Sequence, residues 1–279
     1  MTLNKFNGCA FNYHGSKSRF MGIVTDIIPK EDNIKVLDLF TGASSLATQL
    51  PSSWEVIAND KESRLIELHN CFKQAVINQS AEELVDFVKT YAHSYVDKAK
   101  SKEGYIKLVE DYNEDQTPLR LYSLICSSFS NQLRWNGSGQ WNLPFGNRYL
   151  NSSMEKKLLQ YLTLLKEKDI TFTSEDFRDL NFEEYDLVIS DSPYYNTCAV
   201  YNSGWGFKDA INLMTKLDKY SEAGGRFIMF EEFYSKGKPN TPLIEWATQF
   251  NIKQLGDNSG GSNYQRKSGK TSEVLIYNF

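Results

Sequence analysis

Short apolar runs that end in an acid and a turn alternate with amphipathic stretches along much of the chain. Residues Ile34–Phe40, with the sequence IKVLDLF, are typical of a buried parallel strand, and Trp54–Ala58 predicts a second strand that ends at an Asn-Asp pair. A helix over about 44–50, capped by one of two serines, fits between the two strands. This β-turn-α-β opening predicts an α/β sheet.

The middle of the chain has a different pattern. From Lys61 to about Asp115 the apolar residues follow helical spacing, and no strand is predicted. Thr117-Pro118 is a cap and first-turn pair that predicts a further helix through about Gln132. Residues 133–150 contain three glycines among asparagines and aromatic residues, which predicts a hairpin or a loop.

The alternation of strands and helices returns in the last part of the chain. We therefore predict an α/β domain from residues 1–65 and 161–279, and a mostly helical insertion over 66–160 that carries the hairpin. The elements predicted after residue 150 are helices at Met154–Lys166, Phe207–Glu222 and Thr241–Phe250, and strands at Ile170–Thr173, Tyr185–Ser190, Gly225–Phe230 and Val274–Asn278.

Composition narrows the class of protein. A net charge of −4 argues against a protein that coats nucleic acid non-specifically. Four scattered cysteines and three histidines, without a C-x-x-C pair, argue against a metal site or a disulfide framework. No apolar run is long enough to cross a bilayer, and the polar N-terminus lacks a signal-peptide core, so we expect a cytoplasmic protein without a membrane partner.

The charges are unevenly distributed. Two stretches, 116–154 and 258–272, contain no carboxylate and are rich in Ser, Asn, Gln and Gly. Such surfaces favour phosphate groups, because cations and neutral donors face the anion without competing acids. The cations of the two stretches are Arg120, Arg134, Arg148, Arg266, Lys267 and Lys270.

Two acids follow the first two predicted strands. Asp38 begins the turn Asp38-Leu39-Phe40-Thr41-Gly42, at the carboxyl edge where α/β folds bind ligands. Asp38 could face the ammonium end of a cationic cofactor, but an ordinary strand-to-helix turn explains the motif equally well. Asp60 is placed to accept hydrogen bonds from ribose hydroxyls, although an acid at a helix N-terminus is the more common explanation.

The strongest chemical signal is Asp191-Ser192-Pro193-Tyr194, directly after a predicted strand. An amine on an aromatic ring is a poor nucleophile, because its lone pair is delocalised into the ring. A carboxylate and a backbone carbonyl can accept its two N–H hydrogens and aim the lone pair at a methyl donor. Pro193 fixes the backbone, and Tyr194 can stack on a base turned out of a duplex. The alternative is a strand that ends at a proline turn.

Six motifs in one order extend this signal over nearly the whole chain, which resembles the Dam-type DNA adenine methyltransferases of bacteria and phages. Ser192 is a departure, since that family has proline there. The six motifs are NYHGSK at 12–17, DLFTG at 38–42, AND at 58–60, the hairpin segment from SNQLR at 130–134 to NLPFGNR at 142–148, DSPY at 191–194 and EVLIYN at 273–278.

The resemblance implies a Rossmann-like class I methyltransferase sheet, mostly parallel with an antiparallel last strand, and a helical target-recognition insertion with a β-hairpin. It implies S-adenosylmethionine as methyl donor, N6 of adenine in double-stranded DNA as acceptor and GATC as target. Asp191 and the Pro193 carbonyl would hold the amine, and Tyr194 would stack on the base. The implied cofactor-binding residues are Tyr13, Lys17, Asp38, Phe40, Gly42, Asp60, Asp176 and Phe177.

By the same resemblance Arg148 is the first candidate for reading guanine. Trp135, Trp141 and Phe145 are expected to pack the hairpin onto the helices, and Phe129 or Trp135 to intrude where an adenine leaves the stack. The implied DNA-binding residues are Phe129, Ser130, Arg134, Asn136, Pro144 and Arg148.

Three alternatives remain open. The first is a methyltransferase that acts on RNA or on a protein amide, and the second is a DNA-binding protein that has lost catalysis through Ser192. The third, a nicotinamide-dependent oxidoreductase, is remote because the G-x-G-x-x-G pattern is absent. The pairs Glu231-Glu232 and Glu183-Glu184 are expected on solvated faces, and His14 is expected to neighbour the cofactor without a catalytic role.

Overall fold

The computed structural model describes residues 8–13, 15–130, 133–195, 204–235, 237–256 and 272–279. His14, Gln132, Cys198 and the basic residues of the stretch 258–271 lie outside the described residues. The chain divides into two compact units. The first contains residues 1–21, 42–52 and 62–174, and the second contains 22–41, 53–61 and 175–279.

The strands confirm the α/β prediction. They are β1 (Lys35–Asp38), β2 (Glu55–Asn59), β3 (Ile170–Thr173), β4 (Leu187–Ser190), β5 (Arg226–Ser235), β6 (Lys238–Pro239), β7 (Asn251–Gly256) and β8 (Ser272–Tyr277). All except β3 belong to the second unit, where their order is β2-β1-β4-β5-β8-β7 with β6 beside β5.

Pairing within this sheet is mixed. Strand β1 pairs in parallel with β2 and β4, and β4 pairs in parallel with β5. Strand β8 is antiparallel to both β5 and β7. The prediction of a Rossmann-like, mostly parallel sheet with an antiparallel last strand is therefore confirmed.

The apolar runs become the central strands because both of their faces are covered. All of β4 and the last three residues of β1 are buried, which is typical of parallel strands flanked on both sides. Helices α7 (Phe207–Glu222) and α8 (Thr241–Ala247) pack against β5. The core that they share with the sheet includes Leu37, Leu39, Val188, Leu213, Leu217, Phe227, Met229 and Leu243.

The remaining helices are α1 (Met21–Ile27), α2 (Ser63–Asn78), α3 (Ala81–Tyr95), α4 (Lys102–Glu114), α5 (Pro118–Ser127) and α6 (Ser152–Glu167). Helices α2 to α6 belong to the first unit, and α5 and α6 each pack against α2 and α3. The bundle buries large aromatic side chains, among them Phe72, Tyr112, Tyr122 and Tyr161. A helical middle segment is therefore confirmed, whereas the functional division at residues 65 and 161 remains a prediction.

Two predicted helices differ most from the structure, and α8 also ends at Ala247, before the predicted Phe250. The segment 44–50 forms only a 3-10 turn at Ala47–Gln49, because Gly42 and Ser44 adopt φ values of +49° and +62° that do not fit an α-helix. Helix α5 ends at Ser127 and not near Gln132. At the observed end, the hydroxyl groups of Ser127 and Ser128 donate hydrogen bonds to carbonyls of the preceding turn.

Other elements were not predicted or extend further than predicted. Helix α1 and strand β7 were not predicted, and β5 runs five residues beyond the predicted end at Phe230. Within the described ranges, no helix is both long and apolar enough to span a membrane. In those same ranges, no three His, Cys, Asp or Glu side chains are grouped to hold a metal ion.

Candidate active site

Three acids lie along one edge of the sheet in the second unit. The parallel register places Asp38 of β1 level with Ala58 of β2 and with Ile189 of β4. Asp60 follows the end of β2 by one residue, and Asp191 directly follows β4. The turns that contain Asp38, Asp60 and Asp191 therefore leave the sheet at the same carboxyl edge, where α/β folds bind ligands.

The turn after β1 is tied to both neighbouring strands. The Leu39 N–H donates to the Ile189 carbonyl at 2.9 Å, and the Thr41 N–H donates to the Asn59 carbonyl at 2.7 Å. Asp38 is fully buried, and its Oδ2 accepts the Thr41 hydroxyl hydrogen at 2.8 Å. The carboxylate is therefore fixed in one orientation relative to the turn that it precedes.

Asn59 is a positioning residue that the sequence did not single out beyond its place in the A-N-D motif. Its Nδ2 donates to the carbonyls of Leu39 and Glu175 at 3.2 and 3.0 Å, and its Oδ1 accepts the Glu175 N–H at 2.9 Å. One buried amide thus joins the turn after β1 to the segment that contains Asp176 and Phe177.

An aromatic group lies beside this turn. The ring centroid of Phe40 is 5.7 Å from that of Phe177 and 5.4 Å from that of Trp205, and the last two are 5.3 Å apart. Trp205 was missed, because a lone tryptophan before a helix carries no motif signal. Its buried indole N–H meets no hydrogen-bond acceptor among the residues that the structure describes.

Asp176 is held by two cations. Its carboxylate accepts two hydrogen bonds from Arg178, at 2.8 and 2.6 Å, and one from Lys61 at 2.7 Å. These bonds, those from Arg178 above all, hold the pKa of the Asp176 carboxyl far below its usual range. A ligand that used this carboxylate would therefore share it with the two cations.

In the first unit, Tyr13 closes directly over Gly42. Gly42 has a φ of +49°, and a Cβ added there would lie 2.9 Å from Cε1 of Tyr13. Only glycine suits both the backbone conformation and the ring. Lys17 is buried, and its Nζ donates to the Gly15 carbonyl at 2.8 Å. Tyr13 and Gly42, two of the predicted cofactor-binding residues, are thus in contact.

His69 supports Gly42 from the other side and was not predicted as a site residue. Its Nε2 is 2.8 Å from the Gly42 carbonyl, and its Nδ1 is 2.6 Å from the Tyr161 hydroxyl. A carbonyl can only accept, so Nε2 carries the hydrogen and Nδ1 accepts from Tyr161. Burial lowers the pKa of His69 to about 4, which keeps the ring neutral. The helical spacing of Leu65, His69 and Phe72 indicates a buried face but not this bond.

The Asp191–Tyr194 loop is surrounded by carboxyl groups. The Tyr194 hydroxyl donates to Oε1 of Glu273 at 3.0 Å, and the buried Ser192 hydroxyl donates to Oε1 of Glu231 at 3.3 Å. Burial and the nearby acids raise the pKa of Tyr194 well above its ordinary value. Pro193 and Tyr194 themselves remain partly exposed.

The prediction that Glu231 lies on a solvated face is wrong. Its side chain is only 2% exposed, because β5 continues past Phe230 and the strand is buried on both faces from Phe227 to Glu231. Its Oε2 accepts the Glu232 N–H at 3.1 Å. Burial raises the pKa of the Glu231 carboxyl to about 8.

The hairpin segment packs onto the helices of the first unit. Trp135 and Trp141 form an antiparallel bridge, and Nε1 of each donates to a tyrosine hydroxyl, Tyr112 at 3.3 Å and Tyr105 at 3.1 Å. The ring of Phe145 lies 5.2 Å from that of Tyr105. The expected packing role of the three aromatic residues is confirmed.

The predicted DNA-binding residues occupy two places on this segment. Asn136 closes the hairpin turn, since its Oδ1 accepts the N–H groups of Ser138 and Gln140 at 2.9 and 3.0 Å. Phe129 is 63% exposed, and Pro144 is also exposed. These surfaces are accessible, and their contact with DNA remains a prediction.

Both arginines of the hairpin hold its backbone. Arg148 donates to the carbonyls of Ser128 and Ser130, at 3.0 and 2.7 Å. Arg134 donates to Oδ1 and to the carbonyl of Asn142, both at 2.7 Å. Guanine reading by Arg148 therefore stays a prediction, and it requires the guanidinium to exchange backbone partners for a base edge.

The chain matches a family model. Residues 13–259 match the D12 class of N6 adenine-specific DNA methyltransferases. The chain is 30% identical over 287 residues to the type II methyltransferase M.FokI of Planomicrobium okeanokoites, with 99% of this chain and 43% of that protein covered. It is also 30% identical to the modification methylase LlaI of Lactococcus lactis subsp. lactis, with 98% and 44% covered. The chain thus spans less than half the length of these two relatives.

Another relative has a similar length, and solved structures give only a distant likeness. The type II methyltransferase M1.LlaDCHI of Lactococcus lactis subsp. cremoris is 24% identical, with 99% of this chain and 97% of that protein covered. The rRNA methyltransferase aviRa of Streptomyces viridochromogenes has a TM-score of 0.36 and 13% identity, with 93% of this chain and 82% of that chain covered. The fold assignment therefore rests on the strand order and pairing described above.

The burial of His69 predicts that the free energy of unfolding decreases at acid pH. Because the folded-state pKa of His69 is about 4, against an ordinary 6.5, the unfolded chain binds more protons between these pH values. Stability is therefore lost as pH falls from 6.5 towards 4, by about 3 kcal/mol. His69→Gln can make both hydrogen bonds and does not titrate. Its free energy of unfolding, measured in urea between pH 4 and 7, should therefore vary less with pH than that of the wild type. An unchanged pH dependence in the variant would contradict the prediction.

The burial of Glu231 predicts the opposite pH dependence, in which the free energy of unfolding decreases as pH rises. Its folded-state pKa of about 8 lies above the ordinary 4.5, so the folded chain binds more protons between these values. Stability falls as pH rises from 4.5 towards 8, on the order of a few kcal/mol. Glu231→Gln should therefore raise the unfolding free energy most at pH 8 and little at pH 5. A gain of equal size at both pH values would show that ionisation of Glu231 is not the cause.

Proposed function

The chain belongs to the D12 class of N6 adenine-specific DNA methyltransferases, and we propose that it transfers a methyl group from S-adenosylmethionine to N6 of adenine in double-stranded DNA. The observation that carries the proposal is the Asp191–Tyr194 loop. It leaves the carboxyl edge of the sheet beside the turns that contain Asp38 and Asp60. The loop that can accept hydrogen bonds from an amine and the two turns proposed to bind the cofactor therefore lie at the same edge of the sheet.

Residues of each unit, taken separately, fit S-adenosylmethionine, which when bound supplies an electrophilic methyl group. The Gly42 backbone approaches the Tyr13 ring so closely that no side chain fits between them, which suits a cofactor that contacts backbone. The fully buried carboxylate of Asp38 suits the cationic end of the cofactor, and Asp60 suits its ribose hydroxyls. We propose the same binding set as the sequence indicates, namely Tyr13, Lys17, Asp38, Phe40, Gly42, Asp60, Asp176 and Phe177.

The Asp191–Tyr194 loop would hold the target amine. The Asp191 carboxylate and the Pro193 carbonyl accept its two hydrogens, which opposes delocalisation of the nitrogen lone pair and directs it to the methyl group. Tyr194 stacks on the base, and the hydrogen bond from its hydroxyl to Glu273 fixes the ring at its far end. No covalent nucleophile of the chain is needed, because the amine attacks the methyl carbon directly.

The hairpin segment is the proposed DNA surface. The stretch 116–154 contains no carboxylate, and phosphate binding favours that charge pattern. Phe129 is the exposed apolar side chain that could fill the space left by an adenine turned out of the duplex. The remaining proposed contacts are Ser130, Arg134, Asn136, Pro144 and Arg148, and the proposed target sequence is GATC.

The first test is transfer of labelled methyl from S-adenosylmethionine to duplexes that contain GATC or a scrambled site. Label should appear on the adenine of GATC. Asp191→Ala should lower the rate about 100-fold or more, because a hydrogen-bond acceptor for the reacting amine is lost. The control variant Asp26→Ala removes an exposed carboxylate on α1 and should keep the wild-type rate.

The outcomes separate the parts of the proposal. Label on adenines outside GATC would keep the reaction and reject the target sequence. Label on RNA or on protein, with none on DNA, would reject the substrate class. A wild-type protein that binds DNA and transfers no label to any of these substrates would reject the proposed activity.

A second test addresses the cofactor. Gly42→Ala forces a Cβ against Tyr13 and puts a side chain at positive φ, so the turn must shift. We expect calorimetric titration with S-adenosylmethionine to show binding at least about ten-fold weaker, or 1.4 kcal/mol. Gly22→Ala is the matched control, because its added Cβ meets nothing within 4 Å. Equal affinity of the two variants would exclude Gly42 from the cofactor site.

A further inference from the structure

Ser192 occupies the position of the candidate catalytic loop at which the resembling family has proline. Its side chain is 3% exposed, and its hydroxyl is aimed into the protein, towards Oε1 of Glu231 at 3.3 Å. A serine at a loop tip ordinarily faces water. Here the hydroxyl links the loop to a neighbouring strand.

The pairing of the strands explains why these two residues meet. Ser190 of β4 is level with Met229 of β5 in the parallel register. Ser192 and Glu231 each lie two residues beyond this pair, which is the last pair between β4 and β5. The strand pairing therefore brings the two residues near each other, and the hydrogen bond joins the loop to β5.

Glu231 has surroundings that make an isolated carboxyl costly. It lines a small, mostly apolar pocket together with Phe207 and Met214 of α7, Met229 of its own strand, Leu243 of α8, Tyr195 and the polar Asn240. A buried polar group in such apolar surroundings is costly unless it is hydrogen-bonded. The Glu232 N–H satisfies Oε2, and Ser192 satisfies Oε1.

The chemistry of the two residue types suggests what the bond does. A proline ring would fix φ at position 192 and restrict the residue before it, which is Asp191. A serine leaves both backbone torsions free. A hydrogen bond from its side chain to an immobile strand removes part of that freedom by another route.

We propose that Glu231 is a positioning residue for the Asp191–Tyr194 loop, and that its hydrogen bond with Ser192 supplies the constraint that a proline ring would supply. The proposal rests on the proposed function, because it assigns Glu231 an effect on methyl transfer. Glu231 acts through Ser192 and does not touch the substrate.

The protonation state of Glu231 suits this role. Burial raises its pKa to about 8, so a neutral carboxylic acid can hold Ser192 without adding a charge next to Asp191. Glutamine is the matched variant, since its amide can donate to the Ser192 hydroxyl and accept from the Glu232 N–H. Leucine has a similar size and can do neither.

The test is a set of coupled variants of the whole chain. For each variant, kcat on an adenine-containing duplex, KM for S-adenosylmethionine and Tm would be measured. We expect Glu231→Leu to lower kcat about ten-fold while KM changes about two-fold or less, because misplaced acceptors affect the reacting amine more than the cofactor. Glu231→Gln should remain within about three-fold of the wild-type kcat, since its hydrogen bonds persist.

The decisive comparison repeats Glu231→Leu in a Ser192→Pro background. If the ring and the hydrogen bond supply the same constraint, Glu231→Leu should change kcat by only about two-fold there, although it costs about ten-fold in the wild-type background. Ser190→Ala is the control for loss of a buried hydroxyl. It lies at the end of β4, two residues before Ser192, and its Oγ has no hydrogen-bond partner among the described residues, so its kcat should stay near wild type.

Two results would overturn the inference while the proposed function stands. One is an equal loss of kcat on Glu231→Leu in both backgrounds, which would mean that Glu231 acts independently of Ser192. The other is a parallel loss of Tm, cofactor KM and kcat that glutamine does not rescue, which would mean a general packing role. Absence of adenine methylation by the wild-type chain would instead overturn the proposed function, and this inference with it.

Discussion

The candidate site depends on the parallel pairing of β1 with both of its neighbours. That pairing brings the ends of β1, β2 and β4 to one edge, and hydrogen bonds from Leu39 and Thr41 continue it into the turn. Strand side chains alternate between the faces, so a slip of one residue would turn Asp38 away from its bond with Thr41. It would also separate the acids of the three turns. The hydrogen bonds from Leu39 to Ile189 and from Thr41 to Asn59 oppose such a slip, which makes the register of β1 a condition for the chemistry.

Two buried titratable groups support the turns of the candidate site, and both are neutral near pH 7. His69 holds the Gly42 carbonyl, and Glu231 holds the Ser192 hydroxyl. Burial lowers the pKa of the first and raises that of the second. A neutral Glu231 bonds the loop without adding a charge near Asp191, the carboxylate proposed to hold the target amine.

Local signals in the sequence were sufficient for much of the fold. Strand β3 and helix α7 have the bounds expected from apolar runs and periodicity, and the acid-ended runs correctly marked the turns at Asp38, Asp60 and Asp191. These features depend on residues that are adjacent in the chain. Their common edge could be anticipated because parallel strands of one sheet end on the same side.

The contacts that the sequence did not reveal join distant segments. His69 meets Gly42 across 27 residues, and Ser192 meets Glu231 across 39. Glu231-Glu232 resembles a solvated pair until the length of β5 and its register with β4 are known. The helix expected over 44–50 is absent for a related reason. The turn requires positive φ values at Gly42 and Ser44, and the residue types alone do not reveal this requirement.

The anchoring of the hairpin has a consequence for the thermodynamics of association. The guanidinium of Arg64 lies 3.7 Å from the ring centroid of Trp135 and donates to the Gly139 carbonyl at 3.3 Å, while Oδ1 of Asn113 accepts the Trp141 N–H at 2.8 Å. The two sides and the tip of the segment are therefore ordered by the protein itself. In the proposed complex with a duplex, a surface that is preorganised in this way would lose little conformational entropy on binding, so more of each polar contact would remain as affinity.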